Sequence, residues 1–397
     1  MIDLLDIFGQ DRAIAQLQQA IACGRMAHAF LFTGPDGVGR QTTAIALAKV
    51  LLCEKPIIVK RSQLGLPGRL SELDEDFPVR RACGLCGDCR MMASLSHPDF
   101  QLVYKELARF HEDASVRSRV MQELGIDVIE SFLLQPAARS PSRQRAKVFV
   151  VREAELMSDA AQNALLKTLE EPPPGVVIIL IAERAGQMLP TTVSRCSRVE
   201  FGALPRDMVI ERLQQAGIEA SEAGFWAGFT AGSLGRALQM SQQEMYQVKR
   251  DLVNSLANLG GGADAELGEQ LVRTTDKLAE QAVKAAKQAS GAELSKNLAS
   301  RQAAGAMIEL IASAYLDALH IRCGMEDLPG GSSIVHNDQL QEIRQLANKF
   351  SHRQLAEIIE QLSEFEQLLW RNVNPKIVWD NVVITCSTAA PLGIQGG

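Results

Sequence analysis

His28-Ala29-Phe30-Leu31-Phe32-Thr33 is an apolar run of strand length, and Gly34-Pro35-Asp36-Gly37-Val38-Gly39-Arg40-Gln41 follows it directly. A buried strand that runs into glycines at this spacing and then into a helical pattern is the layout of a phosphate loop, G-x-x-x-x-G-K-[ST]. Glycines there let backbone N–H groups face an anion, and the start of the helix adds a favourable field. Working outward, Phe100-Gln101-Leu102-Val103-Tyr104, Lys147-Val148-Phe149-Val150-Val151 and Val176-Val177-Ile178-Ile179-Leu180-Ile181 are further apolar runs. Near-continuous runs of this kind suit a parallel sheet covered on both faces. Ser158 to Glu170 reads as a helix with Ala161, Leu165, Leu166 and Leu169 on one face, ended by Pro172-Pro173-Pro174. Strands alternating with helices predict an α/β fold over roughly the first 200 residues.

The loop is degenerate where chemistry is done. The position of the phosphate-reaching lysine holds Arg40, and that of the Mg²⁺-binding hydroxyl holds Gln41. Arginine keeps the charge without lysine's compact geometry, and Thr42 comes one residue late on the helix. Two readings stand: a strand-to-helix turn kept for the fold, or retained nucleotide binding through Gly34, Gly37, Gly39, Arg40, Gln41 and Thr42. The strand Val148 to Val151 lies where a carboxylate should follow to support Mg²⁺, yet the next pair is Arg152-Glu153. The metal-supporting position has become a cation, and Glu153 reads as a remnant. ATP and Mg²⁺ are therefore not expected to be bound productively by this chain.

Cys83-Gly84-Leu85-Cys86-Gly87-Asp88-Cys89 places three thiols at i, i+3 and i+6. A structural Zn²⁺ site needs four thiolate or imidazole ligands. Cys53 is taken as the fourth, with His97 as the alternative, and an iron–sulfur cluster is the lesser rival. Residues 54–82 read as a surface insertion in this zinc knuckle. Cys23, Cys323 and Cys386 are isolated and read as buried small apolar groups.

The second half is helical in pattern. Asp207 to Ala216, a segment around Phe225-Trp226, and Gly232 to Leu238 suggest a small helical domain. After Gly260-Gly261-Gly262 a larger one runs to about 387. In it Leu340, Ile343, Leu346 and Phe350 share a face, and Ser351 with Gln354 forms a capping box before Leu355, Ile358, Leu362, Phe365 and Leu369. Lys277, Lys284 and Lys287, with Glu269, Asp276 and Glu280, read as a solvated face. Arg139, Arg143, Arg145 and Lys147 form a basic run that would suit either DNA phosphates or a solvated loop.

Composition sets limits around these motifs. At 397 residues, 46% hydrophobic and 22% charged, the chain is globular and long enough for two or three domains. A net charge of −6 and a pI near 5.7 argue against a surface that coats nucleic acid. Apolar runs fall short of the ~20 residues of a membrane span, and Met1-Ile2-Asp3-Leu4-Leu5-Asp6 lacks the basic start of a secretory signal. A cytoplasmic protein with no membrane partner is expected, and clustered cysteines fit a reducing compartment.

Together the motifs resemble the clamp-loader branch of the AAA+ ATPases, and within it the delta-prime family of bacterial DNA polymerase III. The resemblance is carried by Ile7-Phe8-Gly9-Gln10, by His28 to Pro35, by Cys53, Cys83, Cys86 and Cys89, and by His97-Pro98-Asp99. Further on it is carried by Asn163-Ala164-Leu165-Leu166-Lys167-Thr168-Leu169-Glu170-Glu171-Pro172-Pro173, Leu189-Pro190-Thr191-Thr192-Val193-Ser194-Arg195-Cys196, and Arg371-Asn372-Val373-Asn374-Pro375-Lys376. It is strong over about 1–240, weak over 245–335 and good over 340–385. The resemblance implies an AAA+ P-loop NTPase-like domain over 1–203 with a zinc module at about 53–97, a helical lid over 204–245, a helical collar over 246–390 and a tail over 391–397. The fold class implied is α/β plus all-α. The family's Ser-Arg-Cys carries an arginine finger, which assigns Arg195 to a neighbour's ATP site. The tau/gamma relatives, which hydrolyse ATP, keep lysine, threonine and aspartate at the positions of Arg40, Gln41 and Arg152. The implied function is a non-hydrolysing stator that helps load a sliding clamp onto primed DNA. Its implied partners are tau/gamma and delta clamp-loader subunits, the sliding clamp and primer-template DNA. An ATP-hydrolysing motor and a zinc-dependent scaffold are the alternatives. Gly232-Ser233-Leu234-Gly235-Arg236 resembles the family's second sensor, with Arg236 one residue late.

Overall fold

The computed structural model describes residues 2–64, 69–117, 123–143, 145–260, 265–290, 295–325, 334–371 and 373–387. Gly261, Gly262, Asn372 and the tail 391–397, named above, lie outside the described residues, as does the side chain of Lys287. The chain divides into two compact units, Met1–Pro205 and Arg206–Gly397.

The strands of the first unit are β1 Ala29–Thr33, β2 Ile57–Lys60, β3 Pro78–Arg81, β4 Phe100–Val103, β5 Lys147–Val151, β6 Val176–Ala182 and β7 Ser197–Glu200. Five form a parallel sheet in the order β4-β5-β6-β1-β7, and β2 and β3 form an antiparallel pair. β1, β5 and β6 are buried along their whole length, as continuous apolar runs require. Alternate side chains feed two cores. Phe30, Phe32, Val148, Val150 and Ile179 join one, with the helices Asp11–Ala22 and Arg40–Leu52. Leu31, Phe149, Val151, Ile178 and Leu180 join the other, with the helix Asp159–Glu170. Ser158 caps that helix, its Oγ accepting from Ala161 N at 3.2 Å. Ala161, Leu165 and Leu169 are buried in it and Leu166 is half-buried.

Three sequence expectations change here. β7 is polar at alternate positions, so it carried no apolar signal, yet it closes the sheet beside β1. Residues 54–82 are more than a surface insertion. Val79, Leu70 and Leu73 are buried against the core, and Gln18 bridges to Arg80 from both ends of its amide, at 2.8 and 2.9 Å. Cys23 and Cys323 are exposed, because each is the residue that ends a helix at the surface; only Cys386 of the three is buried.

The second unit is helical: Arg206–Gln215, Ala220–Phe229, Leu234–Gln242, Met245–Asn258, Ala265–Ser290, Lys296–Arg322, Leu340–Lys349, His352–Trp370 and Pro375–Ser387. The Ser351–Gln354 capping box forms, with Ser351 N donating to Gln354 Oε1 at 2.9 Å. Ile343, Leu346, Phe350, Leu355, Ile358, Leu362 and Leu369 are buried, and Phe365 is half-buried. Lys296–Arg322 is long and apolar enough to cross a membrane by length and composition. It also holds Met307, Ile308, Leu310, Ile311, Ala314 and Tyr315 buried, as a core helix of the unit.

Candidate functional sites

The degenerate phosphate loop links β1 to the helix Arg40–Leu52. Gly34, Gly37 and Gly39 all have positive φ, of 142, 71 and 104°. Gly34 has no alternative: a Cβ there would lie 2.2 Å from the carbonyl oxygen of Phe201. The loop is braced by Gln10, whose Nε2 donates to the carbonyls of Val38 at 3.2 Å and Gly202 at 2.8 Å. That gives Ile7-Phe8-Gly9-Gln10 a physical role.

Arg40 does not reach out as a phosphate-binding lysine would. Its side chain is 7% exposed, with Nη2 3.5 Å from Asp36 Oδ1 and Nη1 buried without a hydrogen-bond partner. Glu155 is held above the ordinary carboxylate range by burial, an effect opposed by the nearby positive charge of Arg40. Gln41 and Thr42 are half-buried, and the neighbouring Thr43 turns its hydroxyl onto Gly39 O at 2.9 Å. Arg152 places its guanidinium 5.9 Å from the centre of the Tyr104 ring. Glu153, at φ 48°, pairs with Lys105 Nζ at 3.1 Å. Both side chains that follow β5, Arg152 and Glu153, thus have partners within the chain.

Four cysteines converge. The ligand atoms of Cys53, Cys83, Cys86 and Cys89 all lie within 4.8 Å of one another. The sulfur–sulfur distances are 3.5 Å for Cys53–Cys83, 3.9 Å for Cys53–Cys86 and 3.9 Å for Cys83–Cys89. A tetrahedron with Zn–S bonds of about 2.3 Å has edges of about 3.8 Å, so the spacing fits zinc. Backbone N–H groups of Leu85 and Cys86 lower Cys83 to about 6, whereas burial raises Cys53 and Cys89. A bound cation would overcome that burial and hold all four as thiolates. Cys53 arrives from the end of the helix Arg40–Leu52, while His97 faces elsewhere. Its Nδ1 accepts from Asp99 N at 3.0 Å, and its Nε2 lies 3.4 Å from Asp88 Oδ1.

Asp88 was missed by the sequence reading, and it faces two members of the basic run. Arg145 Nη1 lies 3.2 Å from Asp88 Oδ2, and Arg143 Nε lies 3.8 Å from Oδ1. Lys147 is buried, with Nζ donating to the carbonyls of Pro136 at 3.0 Å and Arg139 at 3.1 Å. Three of the four cations thus face partners inside the unit. Asp99 accepts from the backbone N–H groups of Ser142 at 2.7 Å and Arg143 at 2.9 Å, which orders the loop into β5.

Arg195 follows the short helix Pro190–Val193 at the surface. Its Nε donates to Glu170 Oε1 at 2.7 Å, its Nη2 reaches the same oxygen, and its Nη1 donates to Thr191 O at 2.8 Å. Gln162 accepts from Leu189 N at 2.9 Å. The helix Asp159–Glu170 and the segment 189–196 are therefore clamped at two points, with Arg195 on the outer one. Cys196 is pushed up to about 12 by burial, and its Sγ donates to Thr192 O at 3.4 Å. In the second unit Arg236 pairs with Glu309.

Comparison with known proteins agrees with this geometry. The family model described as DNA polymerase III, delta subunit, matches residues 9–64 and 70–205, and the C-terminal model of the same description matches 275–387. DNA polymerase III subunit delta' of Bacillus subtilis (strain 168) is 24% identical over 375 residues, covering 94% of this chain and 95% of its own length. Subunit delta' of Escherichia coli (strain K12) is 29% identical over 246 residues, covering 61% of this chain and 63% of its own. Subunit tau of B. subtilis is 24% identical over 396 residues, covering 97% of this chain but 61% of its own. The sheet with its phosphate loop, the paired motifs and these matches lead to one conclusion: the chain belongs to the DNA polymerase III delta-subunit family of clamp-loader proteins.

Proposed function

We propose that this chain is the delta-prime type of clamp-loader subunit: it does not hydrolyse ATP itself and instead completes the ATP site of a neighbour with Arg195. The carrying observation is the double replacement at its own site. Arg40 is folded back beside Asp36, and Arg152 stacks on Tyr104 where a metal-supporting carboxylate belongs. A site with cations at both positions lacks the groups that hold Mg²⁺ between β- and γ-phosphates. Arg195 remains at the surface on a braced loop, held by an ion pair that a competing anion can displace.

In this reading the lid (204–245) and collar (246–390) join the chain to tau/gamma and delta subunits. The sliding clamp and primer-template DNA are engaged within the complex, in the cytoplasm. Cys53, Cys83, Cys86 and Cys89 hold a structural Zn²⁺, which supplies a cross-link between the Arg40–Leu52 helix and the knuckle.

The test is Mg²⁺-ATP binding and hydrolysis by the purified chain. No turnover is expected, with weak or no binding. Turnover abolished by Arg40→Ala would overturn the proposal and favour a motor of the tau/gamma type.

A further inference from the structure

The second unit contains a buried charged network that the functions above leave unused. It is centred on residues 334–339. Asp317, 1% exposed on the helix Lys296–Arg322, accepts from the backbone N–H groups of Val335 at 2.9 Å and His336 at 2.8 Å. Its Oδ2 also lies 2.8 Å from His336 Nδ1. Two residues on, Asp338 takes the fully buried Lys249, with Nζ 2.6 Å from each carboxylate oxygen. Tyr246 adds its hydroxyl at 2.9 Å, and Ser221 stands 3.1 Å from that hydroxyl.

The same segment grips the helix Ala220–Phe229. The Lys249 ammonium sits 4.3 Å from the centre of the Phe225 ring, and the His336 ring packs edge-on to that ring at 5.0 Å. Gly228 leaves room for Val335: a Cβ there would lie 3.3 Å from Val335 Cγ1. The covalent link alone would be a weak coupling. The helices Leu234–Gln242 and Met245–Asn258 are joined by Gln243 and Glu244, and Glu244 has φ 55°. A two-residue joint of this kind is where a hinge would act.

We propose that segment 334–339 is a bolt, which locks the helices of residues 206–242 onto the C-terminal helices so that both move as one body. The ion pair of Arg236 and Glu309 is a second fastening between the same parts. Lys249 is fully buried while the Asp338 side chain is 13% exposed; removing Asp338 would leave the ammonium unpaired in a dry site, which is costly, and the bolt therefore holds against small displacements. The inference is independent of which member of the complex hydrolyses ATP.

The test is amide hydrogen exchange read by mass spectrometry on the full chain. Wild type is compared with Asp338→Ala and with Tyr246→Phe, which removes a single hydroxyl. In wild type, residues 220–242 should open together with 245–258. In Asp338→Ala, exchange over 220–242 should accelerate by roughly tenfold or more, with 296–322 and the first unit holding within about threefold. Tyr246→Phe should show the same pattern at smaller size, and it decides the matter if Asp338→Ala does not fold. Independent opening of 220–242 in wild type would overturn the proposal. So would unchanged exchange in the variants, or an acceleration spread evenly over 206–387.

Discussion

Replacing Arg195 by alanine separates the arginine's structural worth from its proposed catalytic worth. Structurally the side chain is 32% exposed and its partner Glu170 is 50% exposed. Ion pairs of that exposure contribute about 0–1 kcal/mol, and Thr191 O can return to water when the guanidinium leaves. For a unit of this size that is a shift in Tm of about 4 °C at most. A finger arginine stabilises charge on a transferring phosphoryl group and contributes roughly 10³–10⁵ in rate, or about 4–7 kcal/mol of barrier. The two magnitudes differ enough to be read apart. In a complex reconstituted with its sister subunits, sliding clamp and primed DNA, Arg195→Ala should assemble and leave partner ATP binding near wild type. Hydrolysis at the neighbouring site that Arg195 completes should fall by roughly three decades or more. To reach a neighbour, Arg195 must leave Glu170, so Glu170→Gln should change hydrolysis by less than about fivefold, the size of a surface pair. An assembled Arg195→Ala complex that hydrolyses ATP at the wild-type rate would refute the reasoning.

The purified chain should carry about one zinc ion, lost in Cys53→Ser but kept in His97→Ala, as measured by bound-metal analysis. Gly34→Ala should cost about 3 kcal/mol or more in urea titration, because its Cβ would meet the Phe201 carbonyl at a φ of 142°. Burial lowers His336 from its ordinary 6.5, although hydrogen bonding to Asp317 opposes this. The unfolded chain therefore takes up that proton first, and the second unit should lose stability as pH falls below about 6.5. His336→Gln should flatten that part of the stability–pH profile, read by thermal melts across pH 5–8. A profile unchanged by the substitution would count against His336 as its source.

The sheet was legible because β1, β5 and β6 are buried on both faces, and a strand of that kind must be apolar throughout. β7 was not legible, since every second side chain faces solvent over four residues, too short for a pattern to stand out. The cysteine cluster was visible in three of its members. The fourth, thirty residues earlier, followed from the ligand count of zinc and from a family resemblance, and the fold brings it within 3.5 Å of Cys83. The acidic partner of the basic run was not legible. Charge along a sequence says nothing of what faces it, and Asp88 is far away in the chain.

What the sequence determined alone is therefore whatever depends on neighbours along the chain. That covers the glycine loop between strand and helix, the capping box at Ser351, the helix stop at Pro172, and the exchange of lysine and aspartate for Arg40 and Arg152. Tertiary structure decided what those side chains meet: Arg40 turned back onto Asp36, Arg195 resting on Glu170, and Lys249 buried against Asp338. The reason is physical. Backbone preferences and hydrophobic period act over a few residues and leave a trace in the order of amino acids. Charge pairing and burial act through space, between residues that only the folded chain brings together.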